Sequence, residues 1–125
     1  MHPIYKALRN GLLATALWVA SPGVLWAQFV WDGGHAALDK WTLAQNWNPN
    51  GSIPANDGTS NLVFAGSIRL TPDSNGDWNI NSVTFNSSAG AFTLGGGTLT
   101  LQGTAVTYAI ENQSVETQTD RKSVV

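Results

Sequence analysis

A three-residue pattern, in which an aliphatic residue is followed by a β-branched and an aromatic one, recurs along this chain of 125 residues. It occurs at Leu62-Val63-Phe64, Val83-Thr84-Phe85 and Val106-Thr107-Tyr108, at spacings of 21 and 23 residues. Repeats of this length are typical of solenoids, in which each supersecondary unit buries its apolar face against the next. We therefore expect the three aromatic side chains, ending with Tyr108, to stack inside a solenoid.

The composition favours strands as the elements of these units. Charged residues make up 11% of the chain, against about 25% in soluble domains. Asn, Ser, Thr and Gly, which favour turns over helices, are abundant. Apolar and polar residues alternate in Phe92-Thr93-Leu94 and in Leu99-Thr100-Leu101-Gln102, as half-buried strands require. We expect these segments, together with Ile68 and Leu70, to supply inward-facing side chains of an all-β fold.

A glycine run allows a second all-β architecture. Gly95-Gly96-Gly97 lies between two alternating segments, and a three-residue glycine loop is an acceptable hairpin connection. Neighbouring strands would run parallel in a solenoid and antiparallel across such a hairpin. The alternative prediction is therefore an antiparallel β-sandwich.

The first 27 residues have the organisation of a secretory signal peptide. Lys6 and Arg9 precede an apolar run at residues 11–20, which ends before it reaches the roughly 20 residues that a membrane-spanning helix needs. A small residue, Ala27, precedes Gln28, which favours cleavage between them. Removal of residues 1–27 predicts a secreted or cell-surface protein without a membrane span. It leaves four basic and eight acidic side chains, a net charge of −4 that excludes a nucleic-acid footprint.

The segment at the start of the mature chain is rich in tryptophan and carries spaced motifs. These are Trp31-Asp32-Gly33-Gly34, the block WTLAQNW at residues 41–47, Pro54-Ala55-Asn56-Asp57 and Phe64-Ala65-Gly66. Together with residues 82–86 and the sequence Ile110-Glu111-Asn112-Gln113-Ser114, they make residues 31 to about 119 resemble bacterial proteins with the autotransporter-associated β-strand repeat. The resemblance implies a right-handed parallel β-helix, displayed at or released from the cell surface, without catalytic residues.

The same resemblance divides the mature chain into three parts. Residues 28–60 correspond to a Trp-rich N-terminal cap, residues 61–119 to coils and residues 120–125 to a tail. Chains of this family usually run much longer and end in a translocating β-barrel or a sorting signal, so we expect this sequence to be a fragment or a shortened copy. The expected partners are further coils of the same passenger, a second copy of the chain, or surface glycans.

The tryptophans admit two interpretations. The first coil of a solenoid exposes an apolar rim and a strand edge, which Trp41 and Trp47 would cover as a cap, with their indole N–H groups hydrogen-bonded at its margin. This interpretation predicts a noncatalytic structural or adhesive scaffold. Alternatively, Trp31, Trp41, Trp47 and Trp78 include a platform on which sugar rings stack, in a secreted carbohydrate-binding β-sandwich.

Few residues of the chain form a combination that suggests catalysis or metal binding. The chain has no cysteine, and after cleavage His35 is its one histidine, which we expect in a flexible surface turn. The segment Asp73-Ser74-Asn75-Gly76-Asp77 imitates the start of a calcium loop. However, Trp78 and Thr84 stand where an EF-hand needs Gly and Glu, which favours a polar turn. We therefore expect no metal site and no cofactor.

Enzymatic activity is not expected either. A β-helical polysaccharide lyase would use basic residues on a coil face, and only Lys40 and Arg69 precede residue 121 in the mature chain. A glycoside hydrolase would need two carboxylates across a cleft, whereas Asp73 and Asp77 lie in one predicted turn. The lyase, the least favoured alternative, rests on fold analogy alone.

Overall fold

The computed structural model describes residues 26–104, 108–121 and 124–125. The described residues form one 3-10 helical turn, Ala44–Asn46, and nine short strands, so the fold is all-β, as predicted. The strands are β1 (Ala27–Trp31), β2 (Trp47–Asn48), β3 (Ser60–Phe64), β4 (Trp78–Ile80), β5 (Ser82–Phe85), β6 (Thr93–Leu94), β7 (Leu99–Leu101), β8 (Ile110–Asn112) and β9 (Thr119–Asp120). The predicted signal peptide lies outside the described residues up to residue 25. In the described part no helix has the length and apolarity that crossing a bilayer demands.

Four of the strands form a parallel ladder. β1, β3, β5 and β8 pair in this order, and Trp31, Phe64, Phe85 and Asn112 occupy equivalent positions on successive strands. β2 pairs antiparallel with the other edge of β1, which makes this five-stranded sheet mixed. Alternate side chains of β3 are buried, the period of two that the predicted triplets require.

Two further sheets are parallel and have two strands each. β4 pairs with β7 and β6 pairs with β9. The hairpin predicted across Gly95-Gly96-Gly97 is therefore wrong, because the flanking strands β6 and β7 pair with different partners. Gly95 itself lies in a parallel bridge with Asp73. The antiparallel sandwich that rested on this hairpin is contradicted, since β1 and β2 form the one antiparallel pair among the described strands.

The third copy of the triplet does not take the place predicted for it. Val106 and Thr107 lie outside the described residues, and the Tyr108 side chain is 63% exposed. β8 lies beside β5 instead, because backbone hydrogen bonds from Val83 N–H to Ala109 O and from Gln113 N–H to Phe85 O fix the register. The predicted stack is confirmed for Phe64 and Phe85, whose ring centroids lie 5.4 Å apart, and wrong for Tyr108.

One core connects the three sheets. Phe92 and Leu99 are buried as predicted, while Leu70 and Leu101 are partly buried at its edge. Ile68 is exposed, contrary to prediction, because Gly66 and Arg69 adopt left-handed φ angles of 68° and 52° and turn the backbone on either side of it. The buried apolar side chains of the core are Trp31, Trp41, Trp47, Leu62, Phe64, Trp78, Ile80, Val83, Phe85, Ala89, Phe92, Leu94 and Leu99.

Candidate functional site

The four tryptophans singled out from the sequence form one buried cluster. Trp31, Trp41 and Trp47 have no exposed surface, and Trp78 is 6% exposed. The Trp47 ring is nearly perpendicular to the rings of Trp31 and Trp41, at centroid distances of 5.1 and 6.0 Å, and Trp41 meets Trp78 at 5.4 Å. Such edge-to-face pairs contribute about 0.5–1.5 kcal/mol each beyond the burial of their area. The cluster closes the core on the β1 side of the ladder.

Three of the indole N–H groups donate to backbone carbonyls around the cluster. Trp47 donates to the carbonyl of Trp41 at 2.8 Å, as a cap at the margin of the core requires. Trp31 donates to Arg69 O at 3.2 Å and Trp78 to Ser74 O at 2.7 Å. A platform for sugar rings needs an exposed ring face, whereas these four side chains are buried. Their burial favours the cap interpretation.

Asn46, in the WTLAQNW block, organises the loop that leads into the cluster. Its amide nitrogen donates to Leu38 O at 2.9 Å and to Lys40 O at 3.0 Å, and its amide oxygen accepts the His35 N–H at 2.9 Å. Its backbone carbonyl accepts the Asp32 N–H at 2.9 Å. The side chain is completely buried, so its polar atoms need these partners within the protein. Asn46 thus ties both sides of the loop together.

The two glycines of the Trp31-Asp32-Gly33-Gly34 motif are required by this close packing. Gly33 has a φ of 61°, where only glycine is unstrained, and a Cβ there would lie 3.0 Å from Ile68 O. A Cβ at Gly34 would approach the carbonyl oxygen of Gln45 to 2.5 Å. The motif therefore marks the point where the turn after β1 approaches neighbouring backbone most closely.

Two ion pairs connect the loop between β1 and β2 to the segment after β3. The Arg69 guanidinium contacts Asp39, which also accepts the Thr71 hydroxyl hydrogen at 2.8 Å. Partial burial raises the pKa of Asp39, but the hydrogen bonds from Arg69 and Thr71 and the Arg69 charge outweigh that effect and hold this pKa below its ordinary value. A second ion pair joins Lys40 to Asp73. We call this set, Asp39, Lys40, Arg69, Thr71 and Asp73, the strap.

His35 belongs to an ordered loop and not to the flexible turn predicted for it. Its Nδ1 accepts the backbone N–H groups of Ala37 at 3.1 Å and Leu38 at 3.0 Å. Its carbonyl oxygen accepts a hydrogen bond of 2.7 Å from Arg69 Nε. The imidazole therefore has a structural role in this loop, which the sequence did not indicate.

The segment that imitates a calcium loop forms a polar turn. Asp73 Oδ1 accepts the Asn75 N–H at 2.8 Å, and Asp77 Oδ1 accepts the Thr98 N–H at 2.7 Å, so both carboxylates bind backbone groups of the protein. Asn75 adopts a left-handed φ of 56° at the tip of the turn. Within the described residues, no group of three or more side chains of the metal-binding types comes together.

The opposite side of the ladder contrasts with the tryptophan cluster. Beyond β8 no further strand pairs among the described residues, and an apolar hollow of about 130 Å³ opens there. Ile110 and Val124 on its margin are 48% and 40% exposed. We call this region, formed by β8, β9 and residues 124–125, the open end, and the tryptophan cluster with β2 the capped end. The apolar side chains around the hollow are Val83, Phe85, Leu94, Leu99, Ile110 and Val124.

The predicted cleavage position lies at the start of β1. Ala27 and Gln28 are both exposed and pair with Ser60 and Asn61 of β3. Cleavage between them would leave Gln28 as the first residue of the ladder. Gln28 and the three residues of β1 that follow it would keep their partners in β3.

Comparison of the chain with protein-family models, with curated proteins and with solved structures found no significant match. The resemblance to the autotransporter-associated repeat therefore rests on the sequence motifs. Sequence reasoning missed Asn46 and the Asp39–Arg69 contact. The N-W step of the tryptophan block is the one local signal for Asn46, whereas residues 30 positions apart, such as Asp39 and Arg69, carry no local signal of their contact.

Proposed function

We propose that residues 28–125 are the capped beginning of a right-handed parallel β-helix, and that this structure acts as a noncatalytic exported scaffold of the autotransporter-associated repeat type. The function is structural or adhesive: the scaffold presents a rigid and polar outer surface outside the cell. The observation that carries the proposal is the cyclic order of the parallel pairings.

Three rows of pairings run side by side, and the chain visits them in the same order in successive circuits. From β3 it passes through Asp73 to β4, and from β5 it passes through Gly95 to β7. From β8 it passes through β9 to Val124, which bridges to Leu99 in β7. A parallel β-helix requires this cyclic order, and the strong right-handed preference of parallel crossovers supports the handedness.

The capped end supports the assignment of this region as the start of the helix. β2 pairs antiparallel with the outer edge of β1, which would otherwise be open to pairing with another chain. The tryptophans cover the core that β1 leaves exposed on that side. Both features meet the requirement that the terminal unit of a stacked array be closed.

The contacts give no support to the alternatives. A sugar platform needs exposed indole faces, and the tryptophans are buried. A lyase needs a free basic side chain, whereas Lys40 and Arg69 are engaged in ion pairs with Asp73 and Asp39. The scaffold is the function that uses these residues as they are arranged.

Engineered disulfides test the stacking directly, because the chain has no native cysteine. Val30, Val63 and Thr84 occupy one register row on β1, β3 and β5. We expect V30C/V63C and V63C/T84C to cross-link, since neighbouring strands lie about 4.8 Å apart. The matched control V30C/T84C spans two such spacings and exceeds the roughly 7 Å reach of a disulfide. Cross-linking of the control alone would contradict the proposed order of the coils.

Export is tested by fractionating cells that express the full chain. We expect the exported protein to begin at Gln28 on N-terminal sequencing, and the variant Leu17→Arg, which interrupts the apolar run, to stay inside with an intact N-terminus. Recovery of a Met1 species outside the cell would contradict the export assignment without affecting the disulfide result.

The scaffold function is separated from carbohydrate binding by tryptophan fluorescence. Soluble glycans should leave the emission maximum unchanged, because the four clustered rings are inaccessible to them. A saturable shift on adding a glycan would favour the binding module. Incubation with acidic polysaccharides should give no unsaturated products, and their formation would favour the lyase.

A further inference from the structure

Two Asn–Gly pairs lie in exposed turns of the described part of the chain, Asn50-Gly51 and Asn75-Gly76. In such a pair the glycine amide nitrogen can attack the preceding side-chain amide, because glycine has no side chain to block the approach. The reaction needs the asparagine backbone to rotate until its side-chain carbonyl carbon faces the glycine nitrogen. Local structure therefore decides which pair reacts.

The turn at Asn50 leaves this rotation free. Asn50, Gly51 and Ser52 are exposed, and within the described residues no hydrogen bond involves any of the three. Gly51 adopts a φ of 92°, and a Cβ built on it would meet no atom within 4 Å. The segment connects β2 to the buried Pro54 through residues 49–53, all of which are exposed.

The turn at Asn75 is held on both sides. The Asn75 N–H donates to Asp73 Oδ1 at 2.8 Å. The Gly76 carbonyl accepts hydrogen bonds from Ser74 Oγ at 2.8 Å and from the Gly97 N–H at 3.2 Å. Asp73 in turn bridges Gly95 and pairs with Lys40. Rotation at Asn75 would break this set of bonds, so it requires local unfolding.

We propose that Asn50 is a site of spontaneous deamidation and that folding directs the reaction to Asn50 and away from Asn75. The Gly51 nitrogen loses its proton to solvent and forms a bond to Asn50 Cγ, and the side-chain nitrogen leaves as ammonia. The product is a five-membered succinimide. Water then opens either C–N bond of the ring to give aspartate or isoaspartate, so the sequence consumes one water and releases one ammonia.

The modified protein stays folded. The reaction adds one negative charge, and the isoaspartate product also lengthens the backbone by one methylene group. We expect neither change to meet a neighbour, because residues 50–52 are exposed and the space beside Gly51 is open. Deamidation therefore changes the charge of the connection between β2 and β3 at the capped end and leaves the core intact.

Peptide mapping tests the proposal. The mature protein is incubated in mildly alkaline buffer, in one sample native and in another unfolded in urea. Unfolding removes the structural difference, so both Asn–Gly peptides should convert at similar rates in urea. In the native protein the Asn50 peptide should convert more than about tenfold faster than the Asn75 peptide, because the Asn75 rotation needs local opening. The variant Asn50→Gln serves as the control and should abolish the fast conversion.

The isoaspartate content of each peptide, measured with an isoaspartyl methyltransferase, provides a second measurement that does not rely on mass. Equal native rates at the two sites, or a native Asn50 rate far below its rate in urea, would overturn the proposal. A third pair, Asn10-Gly11, lies outside the described residues, in the segment that the predicted cleavage removes.

Discussion

The capped end and the open end differ in how deeply they bury the equivalent register position of the ladder. At the equivalent register position the capped end has Trp31, the middle strands have Phe64 and Phe85, and the open end has Asn112. Trp31 is completely buried, whereas every residue of β8 keeps some exposure. One sheet therefore begins with a closed edge and finishes with an accessible one. Because burial is greatest there, we expect the stability of the ladder to be concentrated near the tryptophans.

The largest expected effect compares a residue of the capped end with one of the middle strands and one of the open end. Trp31→Ala should lower the free energy of unfolding by about 3–5 kcal/mol, because it removes a fully buried ring, and Phe85→Ala should cost a similar amount. A domain of this size has a total stability of about 5–15 kcal/mol, so these variants should be marginal. Ile110→Ala, at the open end, should cost less than about 1 kcal/mol because the side chain is half exposed. Urea titration measures all three, and equal losses for Trp31 and Ile110 would contradict the concentration of stability at the capped end.

A second comparison lies within the capped end. Asn46→Ala removes the buried amide that joins His35, Leu38 and Lys40, and should cost about 2–4 kcal/mol because their backbone groups lose their partners. The control is Asn48→Ala, an exposed residue of β2 two positions away, which should be nearly neutral. Urea midpoints give the stabilities, and limited proteolysis reports whether residues 35–40 loosen. The role given to Asn46 fails if both variants behave alike.

A smaller effect concerns the strap and depends on pH. Because the pKa of Asp39 is lower in the folded protein than in the unfolded chain, its stabilisation is complete above the unfolded pKa of about 3.9 and is lost as the pH falls through the folded pKa. Asp39→Asn should therefore cost about 1 kcal/mol or less at pH 7, given the partial exposure of the ion pair, and the difference from wild type should shrink in acid. Urea titrations of both proteins across this pH range measure it. A difference that grows in acid would have the wrong sign for a salt-bridged carboxylate.

The smallest effect is expected from association through the open end. Two copies should associate weakly through the accessible edge of β8 and the apolar hollow. The capped end should take no part in this association, because β2 covers the edge of β1. Such binding adds only about 0.4 kcal/mol of stability when the protein concentration equals the dissociation constant. Sedimentation velocity over a concentration series should show dimers, and Ile110→Lys should reduce them while leaving the monomer folded. A chain that stays monomeric at the highest concentrations would show that the open end does not support pairing.

The local sequence predicted much of the secondary structure but only part of the register. The triplets at Leu62-Val63-Phe64 and Val83-Thr84-Phe85 lie in β3 and β5, because alternation of apolar and polar residues is a local property of a half-buried strand. The third triplet was misplaced, since 27 residues separate Phe85 from its partner Asn112, against the 23 predicted to Tyr108. Residue type alone did not reveal that the connection before β8 is longer.

Without any tertiary information, the residues predict the all-β class and the apolar character of the tryptophan-rich segment. Both follow from the composition and from the alternation of apolar and polar residues over a few positions. These are properties of the chain that do not depend on its tertiary contacts. Three features depend on contacts in the folded chain: Gly95-Gly96-Gly97 joins strands of two different sheets, Arg69 contacts Asp39, and Asn46 is buried in the loop beside the tryptophan cluster. These contacts join residues far apart in the chain, and the length and path of every intervening loop must be fixed before they can form.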